Sequence, residues 1–236
     1  MRPFLFLGLA LAVAGGLRAE PAQFASGPSQ VSLVELFSSE GCNSCPPVER
    51  WLGSLRDDPG LWRDFVPVAW HVDYWNRLGW PDRFSTREFT QREYDYAKAW
   101  ASSSVYTPCV VRDGVEMVGS RSVAPSGVAA GKLTVRYDGA VVRAEFSPAG
   151  APAGTTFEIH AAVLGAGIVS KVSAGENNGE TLRHEFIALK LAHGPLGHEL
   201  KLAVPKVAGV PRHALAVWIT RPGELTPLQA TGGWLD

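Results

Sequence analysis

The chain has 236 residues, 46% of them hydrophobic and 19% charged, with a formal net charge of −1. That length holds one large or two small domains, and the composition is that of a packed globule. A net charge so near zero gives no electrostatic case for a nucleic-acid partner, and the chain carries no low-complexity tract or block of like charge.

Residues 1–19 read as a secretory signal peptide: Arg2, an apolar run over 4–17, then Arg18-Ala19. The run is short for a span of about 20 residues, and no later stretch is long and apolar enough to cross a membrane. The expectation is a periplasmic or secreted protein with no stable membrane insertion after cleavage. Three cysteines, Cys42, Cys45 and Cys109, then meet an oxidising compartment. An odd count leaves one thiol over once Cys42 pairs with Cys45.

Residues 20–30 form a polar lead-in. Residues 31–37 are nearly continuously apolar, as a buried parallel strand should be. Glu35 interrupts them. A buried carboxylate is costly unless paired or protonated, so Glu35 is either an acid beneath the cysteines or a strand-edge acid facing solvent. Next comes Cys42-Asn43-Ser44-Cys45, followed by Pro46 and Pro47, which suit the first turn of a helix. Val48, Trp51, Leu52 and Leu55 give that helix one apolar face.

Residues 65–72 predict a second strand, ending in His71 and an aromatic loop with Tyr74, Trp75 and Trp80. A helix is predicted over 86–101, capped by Ser85 with Glu88 completing a capping box, and burying Phe89, Tyr94 and Ala97. Thr107-Pro108 opens a third strand through Cys109, and Asp113-Gly114 signals a hairpin. Residues 120–131 leave room only for a short helix.

From Lys132 the pattern alternates with period two: Leu133, Val135 and Tyr137, then Phe157, Ile159, Ala161 and Val163. Short strands separated by Gly, Pro and Asn turns predict a sandwich of roughly 100 residues. The predicted fold class is therefore an α/β thioredoxin-like domain over 31–131, followed by an all-β, sandwich-like C-terminal domain over 132–236. The histidines at 160, 184, 193, 198 and 213 show no metal-ligand spacing.

A Cys-x-x-Cys between a strand and a helix reads as a thiol–disulfide site. A helix N-terminus stabilises a thiolate, which makes Cys42 the attacking sulfur and Cys45 the resolving one. In that reading Pro108 forms a cis bond, Thr107 aligns an extended substrate chain and Glu35 assists proton transfer. The partner is a protein or small thiol or disulfide, and no cofactor is needed. Two other readings stand beside it. One is a non-catalytic binding protein in which Cys42–Cys45 is a structural staple. The other is zinc or copper(I) held by Cys42, Cys45, Cys109 and His71. Cys109 is itself either a third thiol of the site or a small buried hydrophobe.

As a set, Glu35-Leu36-Phe37-Ser38-Ser39-Glu40-Gly41-Cys42-Asn43-Ser44-Cys45-Pro46-Pro47, His71-Val72-Asp73-Tyr74-Trp75, Gly79-Trp80, Asp82-Arg83-Phe84-Ser85, Val105-Tyr106-Thr107-Pro108 and Gly175-Glu176-Asn177-Asn178-Gly179 resemble the motifs of one family. It is a group of secreted bacterial proteins of unknown function placed among thioredoxin-like folds. The resemblance implies that fold and export, and by analogy a redox role; it names no substrate. Members commonly carry glutamine after the Thr-Pro, where this chain has Cys109.

Overall fold

A computed structural model describes residues 20–235. The segment read as a signal peptide lies outside the described residues.

Fourteen strands and two α-helices are present among them. In chain order they are β1 (Ala22–Ala25), β2 (Ser32–Ser38), α1 (Pro46–Ser54), β3 (Phe65–His71), α2 (Arg87–Ala99), β4 (Cys109–Arg112), β5 (Val115–Glu116), β6 (Gly131–Tyr137), β7 (Val141–Pro148), β8 (Glu158–Ala166), β9 (Ile168–Lys171), β10 (Thr181–His184), β11 (Ile187–Pro195), β12 (Leu200–Lys201), β13 (Arg212–Thr220) and β14 (Gln229–Leu235).

The division expected at 131/132 does not divide the sheet. One eight-stranded sheet runs β14-β13-β8-β11-β3-β2-β4-β5, with strands from both sides of that point. The junction is β11 on β3, parallel, with Ile187 opposite Ala69. Without β11, the backbone edge of the fully buried β3 would be left unpaired. On the other side of β3, β2 pairs in parallel, and β4 and β5 continue antiparallel. The polar lead-in contributes to the architecture as well. Its strand β1 pairs with β6 in a second sheet, ordered β1-β6-β7-β12.

Two-layer packing does occur in the later part of the chain, but one layer belongs to the large sheet. Leu133, Val135 and Tyr137 of β6 share a core with Ile159 and Val163 of β8 and Leu215 and Val217 of β13. The opposite face of β8 and β13, through Ala162, Leu164 and Trp218, joins the core of β2, β3 and both helices. Each large apolar side chain buried this way contributes about 1.5–3 kcal/mol. Gly232 and Gly233 allow close packing on β14. A Cβ on Gly233 would stand 2.3 Å from the Phe24 ring, and one on Gly232 would stand 2.4 Å from the Leu215 carbonyl oxygen.

Two details of α2 differ from expectation. Its N-cap is Thr86, whose hydroxyl accepts from the Phe89 amide, while the Ser85 hydroxyl donates to the Asp82 carbonyl. Tyr94 is 48% exposed and Tyr96 is buried, because the buried stripe follows Phe89, Arg92, Glu93 and Tyr96. Residues 118–128 contain no helix. Asp113 and Gly114 both have positive φ, 51° and 84°, as a tight β4–β5 hairpin requires.

Candidate functional site

Strand alternation sorts the candidate residues before any contact is considered. On β2 and β3, Ser38 and His71 are register partners, as are Phe37 and Trp70. Adjacent residues point to opposite faces. Ser38 and His71 therefore share the face that carries α1, and Glu35, Phe37 and Trp70 share the face that carries α2. Cys109 pairs with Phe37 across β2–β4, so it too lies on the α2 face.

Cys42 and Cys45 are joined by a disulfide in the turn between β2 and α1, with their Cα atoms 5.5 Å apart. Cys45 is the N-cap of α1, and Pro46 and Pro47 fill the first helical positions. Asn43 and Ser44 are exposed, yet both cysteines have 0% exposure. The cover is the β9–β10 loop, residues 175–179. Asn177 donates its side-chain amide to the carbonyl oxygens of Glu40 and Cys42, both at 2.9 Å. A Glu176 carboxylate oxygen accepts from the Asn43 amide at 3.1 Å. Gly175 lies against Trp80 and Gly41 with φ of 73°. In the sequence, Gly175-Glu176-Asn177-Asn178-Gly179 has the composition of a turn.

The Thr107–Pro108 bond is cis. Thr107 is tied toward the disulfide loop through Trp75, whose indole donates to the Thr107 hydroxyl at 2.8 Å. The Cβ of Trp75 lies 3.1 Å from where a side chain on Gly41 would begin.

The structure places three candidates elsewhere. Glu35 is buried on the α2 face, where it accepts from Trp70 Nε1 at 2.8 Å, Arg92 Nε at 2.6 Å and the Tyr96 hydroxyl. A carboxylate holding three donors, one of them a guanidinium, is a structural ion pair rather than an acid serving Cys45. Cys109 is a free, buried thiol. Burial, with Glu93 and Glu116 nearby, pushes its pKa up to about 12, which suppresses the reactive thiolate. His71 does not join the cysteines, and the expected four-residue metal set does not assemble. Its members are split between the two faces of the sheet and the loop beyond it.

His71 instead belongs to a buried chain of charged groups under the disulfide turn. Its Nδ1 lies 2.7 Å from Asp82, and its Nε2 lies 3.6 Å from Glu49 Oε1. Glu49 Oε2 is 2.5 Å from His184 Nδ1, and His184 Nε2 is 3.3 Å from Glu40 Oε1. The Ser38 hydroxyl donates to Glu49, Trp80 donates to Glu40, and the Glu40 amide donates to Asp82. Burial opposes the charged form of every member. For His184 the carboxylates of Glu49 and Glu40 outweigh it and hold the pKa up to about 10. For His71, Asp82 and Glu49 do the same, in the same direction. Burial would raise Glu49, Glu40 and Asp82, and their histidine partners keep all three below the usual carboxylate range.

Sequence reasoning missed this chain because its members come from five separate segments. One signal was available. Glu49 stands three residues before Leu52, on the apolar face of α1, where a charged residue needs a partner.

Fold and site together define a mostly β protein with two α-helices, its two larger sheets packed together and β9–β10 forming a small third one, with a Cys-x-x-Cys disulfide at a strand-to-helix junction. The chain belongs to the family described as "Protein of unknown function (DUF1223)", which matches residues 33–220. No curated protein matches it. Two solved structures are similar in fold. Protein AGR_C_4864 from Agrobacterium tumefaciens is 23% identical, with a TM-score of 0.60 over 88% of this chain and 94% of that one. HBP35 of Porphyromonas gingivalis is 12% identical, with a TM-score of 0.55 over 89% of this chain and 77% of that one. Among the described residues no helix is long and apolar enough to cross a membrane.

Proposed function

We propose that the protein is an exported thiol–disulfide oxidoreductase built on a thioredoxin-like unit, β2-α1-β3-α2-β4-β5. The observation that carries this reading is the Cys42–Cys45 disulfide at the N-terminus of α1. The strand order β3-β2-β4-β5 and the cis bond at Thr107–Pro108 support the unit. The leader-like residues 1–19 support periplasmic or secreted placement.

The exchange balances without a cofactor. A substrate thiolate attacks Cys42 Sγ, the Cys42–Cys45 bond breaks and Cys45 leaves as a thiolate that takes up a proton. A second substrate thiol then attacks the mixed disulfide. The substrate is oxidised to a disulfide and the pair is reduced to two thiols. Run backwards, the same steps reduce a protein or small-molecule disulfide. Glu35 has no part in this scheme, since Arg92 already holds it.

The full burial of both cysteines favours a second reading, a structural staple on a binding scaffold. The reduction potential together with alkylation separates the two. The oxidoreductase reading expects Cys42 to be alkylated after mild reduction and Cys45→Ser to trap mixed disulfides in the compartment where the protein resides. A potential far below about −300 mV, with neither sulfur accessible, establishes the staple instead.

A further inference from the structure

We infer that Glu49, His71 and His184 form a binding site for a first-row divalent cation, with zinc as the fitting metal. The inference does not depend on the redox reading. Ligand atoms of these three side chains converge within 4.8 Å of one another, and among the described residues they are the one such trio. All three are buried, with His71 at 0% exposure. The donor set is two imidazoles and a carboxylate, which suits zinc.

Three features distinguish the cluster from an ordinary buried ion pair. First, His71 Nε2 is aimed at Glu49 but has no hydrogen-bond partner. Its 3.6 Å separation from Glu49 Oε1 is too long for a hydrogen bond. It is close to the edge of a tetrahedron built on metal–ligand bonds of about 2.0–2.2 Å. Second, each histidine has a carboxylate beyond the nitrogen that faces Glu49. Asp82 backs Nδ1 of His71 at 2.7 Å, and Glu40 stands 3.3 Å from Nε2 of His184. Carboxylates in those places orient metal-bound imidazoles and raise their basicity. Third, buried carboxylates exceed imidazoles by three to two in this chain of contacts, and a divalent cation bound by neutral imidazoles would take the place of the two protons on the nitrogens that face Glu49, leaving the charge of the cluster unchanged. In this assignment His71 binds through Nε2, His184 through Nδ1 and Glu49 through its carboxylate. Asp82 and Glu40 position the two rings.

The site is tested with zinc alone on the full chain with its disulfide intact. Equilibrium dialysis followed by elemental analysis should find stoichiometric zinc. His71→Gln and Glu49→Gln should each abolish binding, Asp82→Asn should weaken it about 10–100-fold, and Cys42→Ser/Cys45→Ser should retain it. Failure of the oxidised wild-type protein to bind zinc overturns the assignment. So does binding that survives His71→Gln and Glu49→Gln but is lost with the cysteines. Should the ligand variants fail to fold by circular dichroism, cobalt(II) added to the wild-type protein decides. Ligand-field bands without a thiolate-to-cobalt band support the nitrogen–oxygen site. A thiolate band, or no perturbed spectrum at all, rejects it.

Discussion

The side-chain amide of Asn177 donates to the carbonyl oxygen of Cys42 across 135 residues of chain, at 2.9 Å. The same amide holds Glu40, so one side chain fastens the loop at 175–179 over the disulfide.

Removing that fastening should open the site. Asn177→Ala deletes two hydrogen bonds worth about 1 kcal/mol each. Local opening becomes easier, and reduction of Cys42–Cys45 by a small dithiol should accelerate roughly tenfold or more. Stopped reduction followed by thiol counting reads this directly. An unchanged rate would mean that the loop does not control access.

Glu35 should matter for stability and not for exchange. Arg92→Met leaves a buried carboxylate without its cation, at a cost of about 3–5 kcal/mol in urea unfolding. Glu35→Gln should lower stability while the disulfide exchange rate stays at the wild-type value. A fall in that rate with the fold intact would return Glu35 to the reactive site.

Glu93 should make stability depend on pH. Burial raises its carboxyl from 4.5 to about 7, and neither of its oxygens makes a well-formed hydrogen bond. The folded state therefore holds a proton that the unfolded state releases at lower pH. Its contribution is fully present below about pH 4.5 and is lost as pH rises through about 7, with a span on the order of 3 kcal/mol. Denaturant titrations across that window should show the decline, and Glu93→Gln should flatten it.

Phe24 and Gly233 should be energetically coupled. Gly233→Ala places a methyl group against the Phe24 ring, and overpacking of this kind costs about 1–3 kcal/mol. In a Phe24→Ala background the same change should cost little. A double-mutant cycle with no coupling would show that β1 shifts freely on β14.

Local patterns carried much of the architecture in the sequence. The apolar run at 31–37, the Pro46-Pro47 helix start and the Asp113-Gly114 hairpin all announce their conformations through backbone chemistry. The joining of β11 to β3 does not, since one parallel register at Ile187 and Ala69 leaves no mark in either segment alone. The site divides in the same way. Cys42, Cys45 and Pro108 are visible as spacing. Asn177 and His184 act on residues about 135 positions away, and their own neighbourhoods read as a turn and a strand end. For Cys109 the two readings stayed open in the sequence, since adjacency to Pro108 does not say which face of β4 a side chain takes; the buried one is the reading that its 2% exposure fits.

The cover over the disulfide also has a place in time. Cys42 and Cys45 leave the ribosome long before Asn177, so for much of synthesis their sulfurs lack that lid. Thiol and disulfide reagents can reach them then without that loop in the way. Only when residues 175–184 are made can the loop close on the turn and His184 reach Glu49 beneath it. The pair is therefore open to exchange before that loop exists, and any exchange in the folded chain takes place at sulfurs with no exposed surface.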